Sequence, residues 1–463
     1  MLYVNGIAIG VIELKSSRVT IGDGIRQLIS NQKPEFNEWF FSTVQLVFAG
    51  SDTEGLQYGT TGTQEKYFLK WKEDEEDNEG YKLDKYLAKM CRKERIIELM
   101  HDFILFDGGV KKVPRAHQYF GIKKAQEYAK RHEGGIIWHT QGSGKSIVMV
   151  LLAKWILENN STARIVIVTD RDELDKQIEG VLKQSGIVPA TDKVRASSGK
   201  DLLKKLSKPN PRLVCTLVHK FCPRGPKGEL KFDDFIKELE SSPSKTVGNV
   251  FVFVDECHRT QSGNLNKAMK AVMPNAVFMG FTGTPLLKKD KQTTMEVFGR
   301  YIHRYKFSEA VEDEVVLDLI YEARDIDQRL GSEDKIDAWF DAKTKALNDW
   351  QKDELKKKWG TMQKVLSSKS RMSQVVTDIA FDFSTKPRLS NQRGNAILVA
   401  KSIYEACRYY TLFNTKEAGF KGKCAVITSY NPHSGDVSKE DTGADTETAK
   451  QVIYDVFVRQ ATI

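Results

Sequence analysis

Residues Thr140–Ser146 read Thr-Gln-Gly-Ser-Gly-Lys-Ser, a glycine-rich turn that ends in a lysine and a hydroxyl group. Glycines let backbone N–H groups approach phosphate oxygens, the lysine adds a positive charge, and the serine can ligate Mg²⁺. The alternative is an ordinary glycine turn before a helix, because His139 stands where the general pattern has its first glycine. The residues that we predict to bind a nucleotide are Gly142, Ser143, Gly144, Lys145 and Ser146.

Two adjacent carboxylates, Asp255 and Glu256, follow the apolar run Asn249–Val254. At the carboxyl end of a buried parallel strand such residues face the ligand-binding edge of the sheet. We predict that Asp255 holds Mg²⁺ and that Glu256 orients or deprotonates an attacking water. A helix cap after a core strand is the alternative, and a phosphate loop in the same chain disfavours it.

A third candidate site lies near the N-terminus, in the string Val-Ile-Glu-Leu-Lys at Val11–Lys15. A predicted strand covers Ile7–Leu14, and in an extended chain Glu13 and Lys15 point to the same face. A carboxylate and an amine fixed side by side can hold Mg²⁺ and position a water, which is the chemistry of phosphodiester cleavage. A surface ion pair on an edge strand is the alternative that this short pattern leaves open.

Gln118 lies at the start of a predicted helix just before the phosphate loop. A glutamine amide can form paired hydrogen bonds with the edge of an adenine, and an aromatic neighbour can stack on the base. A lone glutamine on a helix usually has no such role. Its place in the chain makes it a candidate for the nucleotide site.

The elements that would position these residues alternate between apolar strands and helices, which predicts an α/β fold. A turn-rich stretch at 107–114 predicts a domain boundary, and helical spacing predicts a connector over 325–372. Predicted strands cover Ile7–Leu14, Ser42–Ala49, Arg164–Thr169, Leu213–Val218, Asn249–Val254, Ala276–Phe281, Ala396–Ala400 and Cys424–Ser429. Predicted helices cover Leu83–Leu105, Ile147–Leu157 and Ser402–Phe413.

Length and composition limit the number of domains, the kinds of partner and the location that we expect for this protein. A chain of 463 residues is too long for one core and predicts two to four domains. The net charge of +9 permits a polyanionic partner without requiring one. The six cysteines form no CxxC pair, so we expect neither a disulfide framework nor a zinc site. Without a membrane-length apolar run or a signal-peptide core, the expected location is the cytoplasm.

Four motifs stand in a specific order along the chain: Thr140–Ser146, Thr169–Arg171, Asp255–Arg259 and Phe281–Pro285. They resemble motifs I, Ia, II and III of superfamily 2 helicases and translocases, and Gln118 resembles the Q motif. With Ile-Glu-Leu-Lys upstream, the sequence resembles the restriction (R) subunit of type I restriction–modification enzymes.

The resemblance implies a partial PD-(D/E)XK nuclease domain at 1–105, a RecA-like P-loop motor domain at 106–308, and connector helices with an incomplete second RecA-like domain at 309–463. It implies a subunit that cuts unmodified double-stranded DNA after ATP-driven translocation. ATP and Mg²⁺ would be the cofactors. The methylation (M) and specificity (S) subunits would be partners, and no membrane would be involved.

The resemblance also assigns roles to residues. Glu13 and Lys15 match the ExK element of the nuclease, and Gln27 matches its Q-x-x-x-Y element, although Asn31 stands at the tyrosine position. The implied metal ligands are Glu13, Ser146 and Asp255. Coupling of nucleotide state to DNA contact is implied for Thr282 and Thr284, and proximity to the DNA backbone for Thr169, Asp170 and Arg171.

Two departures from the family pattern bear on activity. No acidic residue precedes Glu13, whereas the nuclease needs a metal-binding Asp upstream, and no string after residue 390 matches the arginine-containing motif VI. We therefore expect a chain truncated at both ends, or an inactive nuclease. A translocase without nuclease activity and a non-enzymatic nucleotide- or DNA-binding module are the alternatives.

Overall fold

The computed structural model describes residues 1–73, 80–169, 172–184, 193–217, 247–257, 263–285, 294–324, 369–391, 394–401, 403–415 and 418–427, with a few single residues and pairs between these ranges. The chain divides into two compact units, Met1–Leu319 and Ile320–Ile463. None of the helices that the structure describes combines the length and the apolar character needed to cross a bilayer.

The first unit begins with a five-stranded sheet in the order β1-β2-β3-β4-β5. Its strands β2 and β3 are parallel and its other pairs are antiparallel, because a helix connects β2 to β3. The strands are β1 (Leu2–Val4), β2 (Ile7–Leu14), β3 (Leu46–Ser51), β4 (Gly55–Gly59) and β5 (Leu69–Lys70). The helices are α1 (Ile21–Asn31), α2 (Lys82–Met90) and α3 (Lys93–Asp102).

Two sequence-based expectations are corrected in this region. The predicted strand Ser42–Ala49 begins only at Leu46, because a short 3₁₀ helix occupies Glu38–Ser42. The predicted helix Leu83–Leu105 is two helices that break at Cys91, so that both apolar faces can pack on the same core. The strand Ile7–Leu14 is confirmed.

A six-stranded parallel sheet forms the rest of the first unit, in the order β10-β9-β11-β12-β8-β13. Its strands are β8 (Gly135–His139), β9 (Ala163–Thr169), β10 (Leu213–Leu217), β11 (Asn249–Asp255), β12 (Val277–Thr282) and β13 (Tyr301–Tyr305). A hairpin of β6 (Leu105–Asp107) and β7 (Val110–Lys112) precedes it. The helices are α4 (Ala116–Lys130), α5 (Lys145–Asn159), α6 (Asp172–Gln184), α7 (Gly199–Leu206), α8 (Gly263–Val272), α9 (Thr294–Phe298) and α10 (Phe307–Glu312).

Continuous apolar runs explain why this sheet is parallel and central. Every residue of Ala163–Thr169 is buried, as expected for a strand that is covered on both faces. Helix α5 is also apolar nearly all round, and residues Val148–Ala153 are fully covered. Because all six strands run the same way, their carboxyl ends lie at one edge of the sheet.

The regular secondary structure that is described in the second unit is helical. It contains α11 (Lys369–Thr385), α12 (Pro387–Ser390) and α13 (Ile403–Phe413), with an apolar contact among Met372, Val376, Tyr409 and Phe413. The predicted helix Ser402–Phe413 is confirmed over Ile403–Phe413, and Ser402 lies outside the described residues. Most of the predicted connector 325–372 lies outside the described residues.

The strand predicted at Ala396–Ala400 is wrong. Ile397 is 91% exposed and Val399 is 86% exposed, and no strand within the described part of this unit pairs with them. An isolated strand cannot satisfy its backbone hydrogen bonds, so the apolar character of this run is not enough to form a sheet. The described part of the predicted strand Cys424–Ser429 is likewise not a strand, and its last two residues lie outside the described range.

Candidate functional site

The carboxyl edge of the six-stranded sheet brings the predicted motor residues together. His139 ends β8, Thr169 ends β9, Asp255 ends β11 and Thr282 ends β12. In the register of the sheet, Thr282 is paired with Trp138 just before the phosphate loop. The residues are far apart in sequence and adjacent here because the strands that deliver them are neighbours.

The phosphate loop connects β8 to α5 and depends on two glycines. Gly142 has φ of 80° and Gly144 has φ of 86°, a left-handed conformation that residues with a side chain rarely adopt. A Cβ atom at Gly144 would also lie 2.4 Å from the Gln118 Nε2 atom. Gly144 caps the N-terminus of α5, where backbone N–H groups and the helix dipole favour an anion.

Ser143 has a different role from its neighbours in the loop. Its side chain is buried, and its hydroxyl donates to the Thr140 carbonyl at 2.6 Å, as its backbone N–H does at 3.3 Å. The Ser143 hydroxyl therefore closes the turn from inside rather than facing the place where phosphates would bind. Its assignment as a nucleotide contact remains a prediction.

Lys145 and the two carboxylates form the charged part of the site. The Lys145 Nζ atom lies 3.8 Å from a Glu256 carboxylate oxygen, and both side chains are mostly covered. Glu256 has φ of 43°, so the backbone turns sharply after β11. Asp255 is buried at the end of that strand, and Ser146 lies in the first turn of α5. A lysine, a hydroxyl and two carboxylates are a donor set that fits a nucleotide phosphate with its Mg²⁺ ion.

The loop after β12 packs directly on the phosphate loop. The Trp138 indole N–H donates to the Gly283 carbonyl at 3.2 Å, and a Cβ atom at Gly283 would lie 3.0 Å from the Gln141 backbone nitrogen. The Thr282 hydroxyl accepts from the Thr284 backbone N–H at 3.1 Å. Close packing of these two loops is what a coupling role for the two threonines would need. The contact of Trp138 with the loop after β12 was not predicted from the sequence.

Gln118 binds the protein rather than presenting a free amide. Its oxygen accepts from the Arg115 backbone N–H at 2.9 Å, and its nitrogen donates to the Ser143 carbonyl at 2.9 Å. Both amide atoms of Gln118 thus have partners within the protein, and its role as an adenine contact stays a prediction. Gln118 caps the N-terminus of α4 and connects that helix to the phosphate loop by a hydrogen bond.

His139, the departure from the general loop pattern, is fully buried and belongs to a cluster of histidines. Its Nε2 atom lies 2.9 Å from the His303 Nδ1 atom, and its ring centroid is 5.3 Å from that of His117. Burial lowers the pKa of His117 to about 4 and lowers the pKa values of His139 and His303. A Cβ atom on Gly121 would lie 3.0 Å from His139, so a glycine of α4 makes the space that the ring occupies.

The N-terminal candidates also come together. The Lys15 Nζ atom donates to a Glu13 carboxylate oxygen at 2.8 Å and to the Gln27 side-chain oxygen at 2.5 Å. Glu13 lies on β2 and Gln27 on α1, whose N-terminus is capped by the Thr20 hydroxyl. Gly24 allows α1 to approach Lys15 closely, because a Cβ atom added at this position would lie 3.3 Å from Lys15 Cγ. One carboxylate, one ammonium and one amide are thus held on the same side of the sheet.

Of the residues predicted to lie near DNA, only Thr169 is described. Its side chain is buried at the end of β9. Asp170 and Arg171 lie outside the described residues, so their predicted role remains a prediction.

Comparisons with known proteins match both sheets. Residues 117–353 match the SWI2/SNF2 ATPase family model, and residues 1–66 match the model of the type I restriction enzyme R protein N terminus. A Methanocaldococcus jannaschii protein named as a type I restriction enzyme endonuclease subunit is 29% identical over 93% of this chain and 42% of its own length. The HindI endonuclease subunit of Haemophilus influenzae is 28% identical over 87% of this chain and 39% of its own length.

Two solved structures illustrate the wider likeness. The Sulfolobus solfataricus SWI2/SNF2 ATPase core in complex with double-stranded DNA gives a TM-score of 0.31 at 12% identity, covering 79% of this chain and 66% of that one. The Type ISP restriction-modification enzyme LlaBIII bound to DNA gives a TM-score of 0.32 at 14% identity, covering 56% and 22% respectively.

The chain spans about two fifths of the length of the curated relatives named above. The ATPase family model covers just over half of the chain, and the R-protein model covers its beginning. The chain therefore belongs to the SWI2/SNF2 ATPase family and is similar, over most of its length, to type I restriction enzyme endonuclease subunits.

Proposed function

We propose that this chain is the motor- and nuclease-bearing part of the R subunit of a type I restriction enzyme, which uses ATP to translocate double-stranded DNA and cuts unmodified DNA. The observation that carries the proposal is the presence of two separate sites in one chain. A phosphate loop lies beside Glu256 at the six-stranded sheet, and a Glu13–Lys15–Gln27 cluster lies between β2 and α1 at the five-stranded sheet.

In the motor site, Lys145 and the first turn of α5 would bind the phosphates of ATP, and Ser146 and Asp255 would hold Mg²⁺. The ion supplies charge neutralisation at the transferred phosphoryl group. Glu256 lies beside Lys145 and would orient the attacking water and accept its proton. Thr282 and Thr284 would transmit the nucleotide state to DNA contacts made near Thr169, Asp170 and Arg171.

In the N-terminal site, Glu13 would be a metal ligand for Mg²⁺. Lys15 would stabilise the negative charge that develops on the phosphate during cleavage. Gln27 would hold the Lys15 ammonium group in place through the hydrogen bond already present in the structure. The domain divisions at 105 and 308 remain part of this proposal.

The names of the relatives support the proposed partners. Two relatives are named as endonuclease subunits of type I restriction enzymes, and each is more than twice as long as the matched region. We propose that the complete protein acts with the M and S subunits, which would supply recognition of the DNA site. Activity of the proposed nuclease and motor then belongs to the assembled complex in the cytoplasm.

The motor assignment is tested by Lys145→Ala in the complete subunit, assembled with its M and S subunits. DNA-stimulated ATP hydrolysis should fall at least about a hundredfold, because the variant lacks the ammonium group that would neutralise charge on the phosphates. Lys124→Ala, which removes a surface ion pair with Glu127 on α4, is the matched control. Equal hydrolysis by wild type and Lys145→Ala would refute a phosphate site in this loop.

The nuclease assignment is tested separately by Lys15→Ala in the same complex. Mg²⁺-dependent cleavage of unmodified DNA should be abolished, whereas DNA-stimulated ATP hydrolysis should stay at the wild-type level. Retained cleavage would leave a translocase whose Glu13 and Lys15 form only a structural ion pair. The ATPase measurement on the same sample shows that the variant is folded and assembled.

A further inference from the structure

The Ser143 carbonyl of the phosphate loop accepts hydrogen bonds from two neighbouring side chains of α4. His117 Nε2 lies 3.1 Å from this oxygen and Gln118 Nε2 lies 2.9 Å from it. A carbonyl oxygen has two lone pairs, so both donors can be accepted at once. Because a carbonyl cannot donate, His117 must carry a proton on Nε2.

The His117 ring is itself fixed from the opposite side of the site. It stacks on Tyr305 with ring centroids 3.7 Å apart and planes inclined by 6°. The Tyr305 hydroxyl donates to an Asp313 carboxylate oxygen at 2.7 Å, and the other oxygen of Asp313 forms an ion pair with Lys72. Tyr305 ends β13, the edge strand beside β8, so the sheet holds the stacking partner at a set distance from the loop.

We propose that His117 is a positioning residue for the phosphate loop, which fixes the Ser143 carbonyl together with Gln118 and is itself held by Tyr305. This inference rests on the proposed function, because it assumes that the loop binds ATP. A carbonyl fixed on one side of the loop leaves the N–H groups at the start of α5 directed toward the phosphates. His117 does not touch the nucleotide in this role.

The expected effect is on binding rather than on chemistry. A loop held in shape before ATP arrives loses less conformational freedom on binding, so removing one support raises KM and leaves kcat nearly unchanged. Burial keeps His117 neutral, since its pKa is lowered to about 4, and it therefore adds no positive charge where it contacts the Ser143 carbonyl. The support is a hydrogen bond and not a second cation.

The experiment measures KM and kcat for ATP, with Mg²⁺ and DNA, in the assembled complex. His117→Phe keeps an aromatic ring against Tyr305 and removes the donor, so KM should rise roughly three- to tenfold while kcat changes less than about twofold. His117→Gln places an amide N–H near the Nε2 position and should return KM to within about twofold of wild type. A purely packing role would favour Phe over Gln.

Tyr305→Leu removes the stack and should raise KM by a similar factor, with no added effect in the His117→Phe background. Tyr305→Leu also tests the inference if His117→Phe does not fold. An unchanged KM in His117→Phe, or a Gln variant no better than Phe, would overturn the inference. If wild type itself neither binds nor hydrolyses ATP, the proposed function fails, and that result is distinct from equal KM values in an active enzyme.

Discussion

The two candidate sites differ in how the fold holds them. The phosphate site is assembled from the ends of several strands and is largely buried, with contacts from α4, the loop after β12 and the edge strand β13. The N-terminal site is built from one strand and one helix, and its Lys15 and Glu13 side chains remain about one-fifth exposed. The first site depends on packing over long sequence distances, and the second on two adjacent elements.

This difference predicts different responses to substitution. In a buried site that many elements support, small changes in shape should propagate and have large effects. In the N-terminal site, function should depend on individual polar contacts, and the fold should tolerate their loss. Three changes test the contrast.

Gly144→Ala should have the largest effect. The left-handed backbone and the 2.4 Å approach of Gln118 leave no room for a methyl group, so ATP hydrolysis should fall roughly a hundredfold. Gly180→Ala on α6 is the matched control, because a Cβ atom there meets nothing within 4 Å. Steady-state ATPase assays compare them, and near-wild-type activity of Gly144→Ala would show that the loop is not held as described.

Acidification should destabilise the six-stranded sheet and its helices more than the five-stranded sheet. The folded-state pKa of His117 is about 4, below the ordinary value near 6.5, so the unfolded chain binds more protons between these values. The contribution of His117 to the free energy of unfolding is therefore fully present above pH 6.5 and is lost as the pH falls toward 4. His117 alone should lower the free energy of unfolding by about 2 kcal/mol between pH 7 and pH 5.

Denaturant unfolding of wild type and His117→Gln at both pH values measures this loss. The variant should lose about 2 kcal/mol less on acidification than wild type. No histidine precedes His101 in the sequence, so hydrogen exchange in the five-stranded sheet should change least. An identical pH dependence in the variant would place the His117 ring in solvent.

Gln27→Ala should have the smallest effect, confined to DNA cleavage. Loss of the hydrogen bond to the Lys15 ammonium should reduce cleavage roughly tenfold and leave ATP hydrolysis unchanged. The adjacent Arg26→Ala is the matched control, since Arg26 pairs with Asp23 and Glu65 on the outer side of α1. A parallel loss of both activities would mean that the two sites are not independent.

Local sequence was enough to predict much of this fold. The apolar run Arg164–Thr169 predicted a buried strand, and Gly-Ser-Gly-Lys-Ser predicted the turn into α5. Prediction failed where an element depends on its partners. Ala396–Ala400 has the apolar character of a strand, but no strand pairs with it in the described part of its unit.

The sequence by itself determined the types of residue that each candidate site contains, because the proposed phosphate binding and metal-dependent cleavage need particular side chains at short spacings. Glu13 and Lys15 are two residues apart, and Gly142 and Lys145 are three residues apart. Only the tertiary structure decided which distant residues support them. Strand order places His303 against His139 and Tyr305 against His117, across more than 160 residues of chain. It also turns Gln118 toward Ser143, because a buried amide must bond to whatever the packing brings within reach.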